Sequence, residues 1–579
     1  MSKQTSKLDL SKIPFGRAHS DILIFEENNC DGESFKPGLF FAMLIQGGEP
    51  RRQGLVDLQP IYDGQPLQYK YEADAGELRI TTDRGNVTVV IDTPRTVRIR
   101  GEGIGIRLYT KIPFMTMEHA TMLPGGLADL NLMSIDNNGG RFLFKALRGE
   151  ITLDSFFNVA KNGPEDAKIE FLPDKGGVFE VAGYTMNPDE WGYIDYLPIE
   201  EAAAGSRADF EEFLKVYGSV ENRWRQLREL CAYAVWLHID GPNDREIIPT
   251  MKGDLVFADC LKAGWANVFQ QPLHAMAMKD ADRAVKLLND TYVHMTGGML
   301  PASISTFRTH YQGNPPTFGA AVLEIMERGR IPIDEAKQLY GAMEENYRWW
   351  KRSHSFRENC FSYSHRDEIK LPGVSYSAFE FPLETPDLYA LIILHIEALK
   401  KLSGLLEDGR TVDWQAEERA VTERLLELWN GNSFDCRGVI SGRRFASKSL
   451  LTCMPVVLGG MLPGEIADKI EEDLGDENIF LSPRGLRSES RDSGYYDGVT
   501  DGRGAVVAWL QQLIIGGLFR CGKYETAKAA AKRFIKCAEE NGPGDVFTAE
   551  GEQKVKRPGD FVNAAAGSAV IYLTDKLSN

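Results

Sequence analysis

The stretch Ala505-Val-Val-Ala-Trp-Leu-Gln-Gln-Leu-Ile-Ile-Gly-Gly-Leu518, followed closely by Tyr524-Glu-Thr-Ala-Lys-Ala-Ala-Ala-Lys-Arg-Phe534, decides the fold. The first segment is apolar on every face of a helix, so it belongs inside. The second carries charge on one face and alanine on the other, so it borders water. Buried then amphipathic is a pair, and the pair recurs outward from here. About twelve helical segments follow one another from residue 206 onward, among them 316–329, 333–352, 386–408, 413–431, 447–460 and 561–577. Six inner-then-outer hairpins describe a double ring of helices, an (α/α)6 barrel. A solenoid would need a fixed sequence period, and none is visible.

Before residue 206 the texture differs. Leu78-Arg-Ile-Thr-Thr, Asn86-Val-Thr-Val-Val-Ile-Asp, Thr96-Val-Arg-Ile-Arg, Gly105-Ile-Arg-Leu-Tyr and Gly177-Val-Phe-Glu-Val-Ala-Gly alternate with period two, rich in β-branched residues and broken by Gly, Asp and Asn. This is the signature of antiparallel strands, and their number suggests a β-sandwich. The expected organisation is multidomain: an N-terminal antiparallel β-sandwich over 1–205, a helical linker over 206–225, and an (α/α)6 barrel over 226–579.

Composition narrows the function classes. A chain of 579 residues exceeds one ordinary core. The net charge of −17, with no long basic run, argues against nucleic acid as a partner. No run approaches the ~18 apolar residues of a membrane span. Met1-Ser-Lys-Gln-Thr-Ser-Lys lacks the apolar region of a signal peptide, so a cytoplasmic location is expected. The 8 cysteines form no CxxC pair and read as reduced core thiols. The 9 histidines show no HxxxH or HxH spacing, so no metal site is expected. Asp497-Gly-Val-Thr-Asp-Gly-Arg-Gly lacks the strand and spacing of a dinucleotide loop. No cofactor is expected. A homo-oligomer stays open.

The loops between helices hold the unusual residues. Gly264-Trp-Ala-Asn-Val-Phe-Gln-Gln opens one inner helix, Phe361-Ser-Tyr-Ser-His-Arg-Asp-Glu begins a polar aromatic stretch that runs to Phe381, and Ser482-Pro-Arg-Gly-Leu-Arg-Ser-Glu-Ser and Asp545-Val-Phe-Thr-Ala-Glu-Gly-Glu come late. Glycoside hydrolysis needs a protonated carboxyl for the leaving oxygen and a second carboxylate for water or the anomeric carbon. Amides, acids and aromatic faces that hold a sugar ring complete the demand, and these loops supply all of them. His274 on an apolar helix reads as a core histidine, and Glu384 and Asp387 read as helix-start acids that complement the dipole.

The region of about 260–577 resembles the clan that holds glycoside hydrolase family 63, mannosylglycerate-hydrolase-like and debranching-enzyme-like proteins. The resemblance is carried in order by Gly298-Met-Leu-Pro, Pro315-Pro316, Trp349-Trp350, Glu384-Thr-Pro-Asp-Leu, Ser482-Pro-Arg-Gly-Leu-Arg-Ser, Arg503-Gly504 and the helix after Pro558. It implies an inverting hydrolase with two carboxyls across the barrel mouth. Where the family grips the sugar with Trp-Asp, this chain has Gln270 and Gln271. Where the family has its acid, this chain has Ser375, so Glu368, Asp367 or Glu380 would substitute. The implied base is Asp545, thirteen residues before Pro558, with Glu550 and Glu552 nearby.

The resulting expectation is a glycosidase for a small α-linked glucoside, mannoside or sugar conjugate. Glu368 or Asp367 is the acid and Asp545 the base. Trp265, Gln270, Gln271, Tyr363, His365, Tyr376 and Arg503 line the pocket. Two rivals keep the fold: a lyase or isomerase on a modified sugar, with His365 and Tyr363 moving protons, and a non-catalytic sugar-binding paralogue.

Overall fold

The computed structural model describes residues 7–20, 22–27, 37–43, 56–112, 119–134, 137–158, 160, 163–185, 196–218, 223–239, 266–304, 309–551 and 564–578. Trp265 and Glu552 lie outside the described residues.

The N-terminal part is two antiparallel sheets. Among the described residues one orders its strands Ile22–Glu27, Gly38–Met43, Val56–Tyr62, Gly105–Lys111, Gly163–Leu172 and Glu150–Asn158, with Gln65–Pro66 paired to Val56–Tyr62. The other runs His119–Leu123, Leu127–Ser134, Asn137–Arg148, Val178–Thr185, Thr96–Glu102, Asn86–Thr93, Leu78–Thr81 and Lys70–Ala73. Along Leu78–Thr81 buried and exposed residues alternate, as the period-two pattern requires. Aromatic rings cross from sheet to sheet: Phe41 meets Phe142 at 4.7 Å between centroids, and Phe144 meets Phe171 at 5.3 Å. These contacts bury the apolar faces against each other.

Helix α1 (Ile199–Leu214) packs on the strand Asn86–Thr93. Arg207 Nε holds Asp74 Oδ2 at 2.9 Å beneath it. Helix α2 (Arg225–Leu237) reaches back to the N-terminal segment, where Tyr233 OH accepts from Gly16 N and donates to Gly16 O, each at 3.0 Å.

The helical part continues with α3 (Gln271–Ala277), α4 (Ala281–Tyr292), α5 (Phe318–Arg328), α6 (Ile333–Ser353), α7 (Pro386–Leu406) and α8 (Thr411–Leu426). A 3-10 segment (Leu450–Met461), α9 (Gly464–Gly475), α10 (Ala508–Arg520), α11 (Tyr524–Asn541) and α12 (Ala564–Ser578) complete it. Six of these elements touch in a cycle: α3, α5, α7, the 3-10 segment, α10 and α12, with α12 returning to α3. Outside them lie α4, α6, α8, α9 and α11, and α2 packs on α12.

The burial of these helices follows from their sequences. Every residue of α10 from Ala508 to Leu518 is buried, whereas α11 buries one face through Ala527, Ala530, Ala531, Phe534 and Ile535. Two buried glutamines bond to neighbouring backbone: Gln511 exchanges two bonds with Leu486, at 2.8 and 2.9 Å, and Gln512 donates to Leu273 O at 2.7 Å. Helices α5 and α7 approach so closely at Gly319 that a Cβ there would stand 2.4 Å from His395 N.

The segment expected as a helix over 447–460 forms the tighter 3-10 structure. Pro455 lies inside it, and Gly459 turns the chain at φ +59°. Proline removes an N–H and crowds the preceding turn, so an α-helix is not sustained there.

At the C-terminal ends of the inner helices, buried Glu324 gathers Lys576 Nζ at 2.7 Å, Arg328 Nη2 at 2.9 Å, Arg520 Nη2 at 3.2 Å and Tyr572 OH at 3.0 Å. The same arginines donate to helix-end carbonyls, Arg328 to Met278 O and Arg520 to Val457 O. Cations there satisfy orphan carbonyls and complement the helix dipoles. No described helix is long and apolar enough to cross a membrane.

Candidate active site

The opposite end of the cycle, where the inner helices begin, is built from loops pinned by short antiparallel pairs. Leu481–Ser482 pairs with Gly485–Leu486, and Val506–Val507 pairs with Val546–Phe547. The second pair leads directly into α10 and brings Asp545 beside it, its carbonyl accepting from Ala508 N at 2.9 Å.

Three further loops converge on the same region. Gly502 N donates to Pro372 O at 2.8 Å, and a Cβ at Gly502 would lie 2.2 Å from Val374 N. Only glycine allows that approach, and it fixes the loop before Ser375 against the loop that carries Arg503. Gly504 N donates to Ser488 Oγ at 2.8 Å. Leu450 N donates to Ser488 O at 2.8 Å and Ser490 N to Lys448 O at 2.9 Å, so Glu489 is held strand-like against the start of the 3-10 segment. Ala549 N donates to Gly498 O at 3.0 Å, which ties in the loop after Asp545.

Within this cluster, Ser375 Oγ lies 3.0 Å from Glu489 Oε2 and 3.0 Å from Ser447 Oγ. Glu489 Oε1 accepts from Ser493 Oγ at 2.6 Å. Burial pushes the Glu489 carboxyl above the usual carboxylate range, against the opposing pull of Ser493, Ser375, Lys448 and Arg503. Other acids here go the other way. For Glu550, burial is outweighed by Arg487, whose guanidinium lies at 2.6 Å, with help from Tyr496 OH at 3.2 Å. Asp497 is also lowered: burial is outweighed by the Thr500 amide and hydroxyl and the Val499 amide. Carboxyls shifted in opposite directions within one cluster suit acid–base chemistry.

The acids expected from sequence are placed variously. Asp545 stands in this cluster, half-buried, before its short strand. Glu368 is buried but bound up locally: Oε1 is 3.0 Å from His354 Nε2, and Oε2 accepts from Ser364 N at 2.7 Å and His365 N at 3.3 Å. It closes a capping box on a short 3-10 turn, Arg366–Glu368. Asp367 is exposed beside His365, 3.2 Å from its Nδ1. Glu380 accepts from Ser441 Oγ at 2.6 Å and Ser441 N at 3.2 Å.

The expected lining residues divide too. Arg503 is exposed in the cluster. Gln270 is half-buried at the start of α3, and Gln271 is buried and donates to Asn267 O at 3.2 Å. The neighbouring Phe269 meets Trp509 edge-on at 4.8 Å, which joins the start of α3 to that of α10. Tyr363 is buried and donates to Asp387 Oδ2 at 2.9 Å, and Tyr376 is buried beside Phe379, whereas His365 is exposed. Tyr363 and His365 therefore face different surroundings. His274 is buried on Ser568 Oγ at 2.6 Å, and burial pushes its imidazole down to about 3, as suits a core histidine. Glu489, Ser447 and Ser493 were not singled out by sequence, although Glu489 lies within the stretch from Ser482 to Ser490.

Residues 370–551 match the family model of the mannosylglycerate hydrolase MGH1-like glycoside hydrolase domain. The chain thus carries a glycosidase domain of the kind its ordered motifs resemble. Among solved structures, the GH63 mannosylglycerate hydrolase from Thermus thermophilus in complex with glucose is similar, with 14% identity and a TM-score of 0.50 over 60% of this chain and 99% of that one. Its complex with Tris gives 13% identity and a TM-score of 0.51 over the same shares, 60% and 99%. A structure described as a sialidase aligns with 95% of this chain and 65% of its own, at 11% identity and a TM-score of 0.50. Likeness at these identities concerns the fold. A comparison with curated proteins finds no match to the chain.

Proposed function

We propose that this protein is an inverting glycoside hydrolase of the cytoplasm, acting on a small α-linked glucoside, mannoside or sugar conjugate. In this reading the two sheets are a β-sandwich domain over 1–205, a linker follows over 206–225, and the helical cycle is the inner ring of an (α/α)6 barrel over 226–579. The observation that carries it is one of placement. The glycosidase-domain match spans the loops that meet around Ser375, Glu489 and Arg503, and it extends just past Asp545. The glucose held by the Thermus enzyme supports a hexopyranoside as the ligand.

Asp545 serves as the base. Its carboxylate takes a proton from a water that attacks the anomeric carbon on the face opposite the leaving group. Arg503, Gln270 and Tyr496 supply hydrogen bonds to sugar hydroxyls or a conjugated acid. Glu368 is held by the turn at 365–368 and Asp367 is exposed beside it, so the acid is sought in the loop cluster itself.

The test is incubation with a panel of α-glucosides, α-mannosides and their glycerate conjugates, followed by proton NMR of the released sugar. The β-anomer is expected first. No release from any member, with folding intact, overturns the hydrolase reading, and early α-anomer overturns inversion.

A further inference from the structure

Glu489 is fully buried and, among the described residues, makes no ion pair. Its acidic neighbours are differently served: Arg487 holds Glu550 and Lys448 holds Asp492. From Glu489 a line of hydroxyls runs outward. Ser375 is buried, and Ser447, another 3.0 Å on, is half-buried. A hydroxyl can accept one proton while giving up another. With Glu489 protonated, its O–H donates to Ser375 Oγ, which leaves the Ser375 hydrogen free to point toward Ser447 or a bound ligand. A knot that only braced the loops would be served equally well by an amide at 489. That difference gives the experiment its leverage.

We propose that Ser375 delivers the acid proton in this site and that Glu489, acting through it, is the store from which the proton comes. The proposal rests on the glycosidase reading above. As the bond from the anomeric carbon to the glycosidic oxygen breaks, its electron pair goes to that oxygen, which takes the Ser375 hydroxyl proton and leaves as an alcohol. In the same step the Glu489 carboxyl proton passes to Ser375 Oγ. The water oxygen bonds to the anomeric carbon, and its proton goes to Asp545. One water is consumed. Glu489 ends as a carboxylate and Asp545 as an acid, and exchange with solvent, through Ser447 for Glu489, restores both.

The experiment compares substrates that need the proton with substrates that do not. Fluoride leaves without protonation, so α-glucosyl and α-mannosyl fluoride bypass the relay, whereas methyl α-glucoside and methyl α-mannoside require it. In the full chain, Glu489→Gln and Ser375→Ala are each expected to lose about 10²- to 10⁴-fold in kcat/KM on the methyl glycosides. On the fluorides each stays within about tenfold of the parent, the size of change left to small shifts in positioning. Ser375→Asp added to Glu489→Gln is expected to regain at least about tenfold on the methyl glycosides, because it puts a carboxyl where the hydroxyl stood. Equal losses on both substrate classes in folded variants, or no loss on either, overturn the relay. If Glu489→Gln does not fold, Ser375→Ala decides by the same criterion. A parent protein that cleaves neither fluorides nor glycosides overturns the glycosidase reading, and the relay with it.

Discussion

Lys576 Nζ stands 2.7 Å from Glu324 Oε1, and this contact binds α12 to α5 beneath the site. Burial alone would raise the Glu324 carboxyl, but Lys576, Arg328 and Arg520 overcome it and bring it down to about 2. A carboxylate lowered on folding stabilises the protein above its unfolded value, ordinarily about 4.3. That contribution is lost as pH falls from there toward 2. Glu324→Gln strands three cations, and a cost of about 3–5 kcal/mol is expected at pH 7. Urea unfolding at pH 7, 4 and 2.5 should show the variant's deficit shrinking toward the acid end. A deficit independent of pH would contradict the charge-based account.

Glu368 separates a brace from a catalyst. Its carboxylate ties His354 to the amides of Ser364 and His365. Glu368→Gln keeps the shape and weakens the acceptor, so a loss of about 1–3 kcal/mol in stability is expected. At temperatures well below melting, kcat/KM should stay within a few-fold of the parent. A loss of a hundredfold or more with an unchanged melting temperature would restore Glu368 as the acid.

Asp545→Asn tests the base. Loss of a general base costs about 10²- to 10⁴-fold in kcat. Here the loss should appear on glycosyl fluorides as well as on glycosides, since both need activated water. Melting temperature should hold. Fluoride turnover at the parent rate would place the base elsewhere.

Gly319→Ala tests the packing of the inner helices. The added methyl would press on the α7 backbone at His395, which cannot step aside as a flexible side chain can. Overpacking of this kind costs about 1–3 kcal/mol, occasionally more. Thermal unfolding should show the loss, and a neutral variant would mean that α5 and α7 sit farther apart.

Periodicity made most of the architecture legible. The helix pair at 505–534 announced which helix goes inside, because burial on all faces needs an all-apolar segment, and α10 and α11 behave accordingly. Pattern could not foresee the 3-10 geometry of Leu450–Met461, since its residues are apolar enough for either helix and the backbone effects of Pro455 and Gly459 decide. The candidate site is readable from sequence only in part. Asp545 and Arg503 came from the resemblance, and they stand in one loop cluster. Glu489 escaped notice because its meaning depends on Ser375, 114 residues away, and no local spacing encodes a contact made by tertiary folding. Glu368 looked catalytic in a polar aromatic stretch, yet a capping box uses the same residue types.

The cycle of inner elements also has a consequence for synthesis. Its last member, α12, touches α2, α3 and α10 at once. Until the ribosome has released α12, the ring has a gap one helix wide, and apolar faces of α3 and α10 stand open beside it. Pairings over so long a sequence separation form slowly and leave such intermediates prone to aggregation. A nascent chain that stalls before residue 564 is therefore a natural client for chaperones, and one in which α10 lacks its ring neighbour.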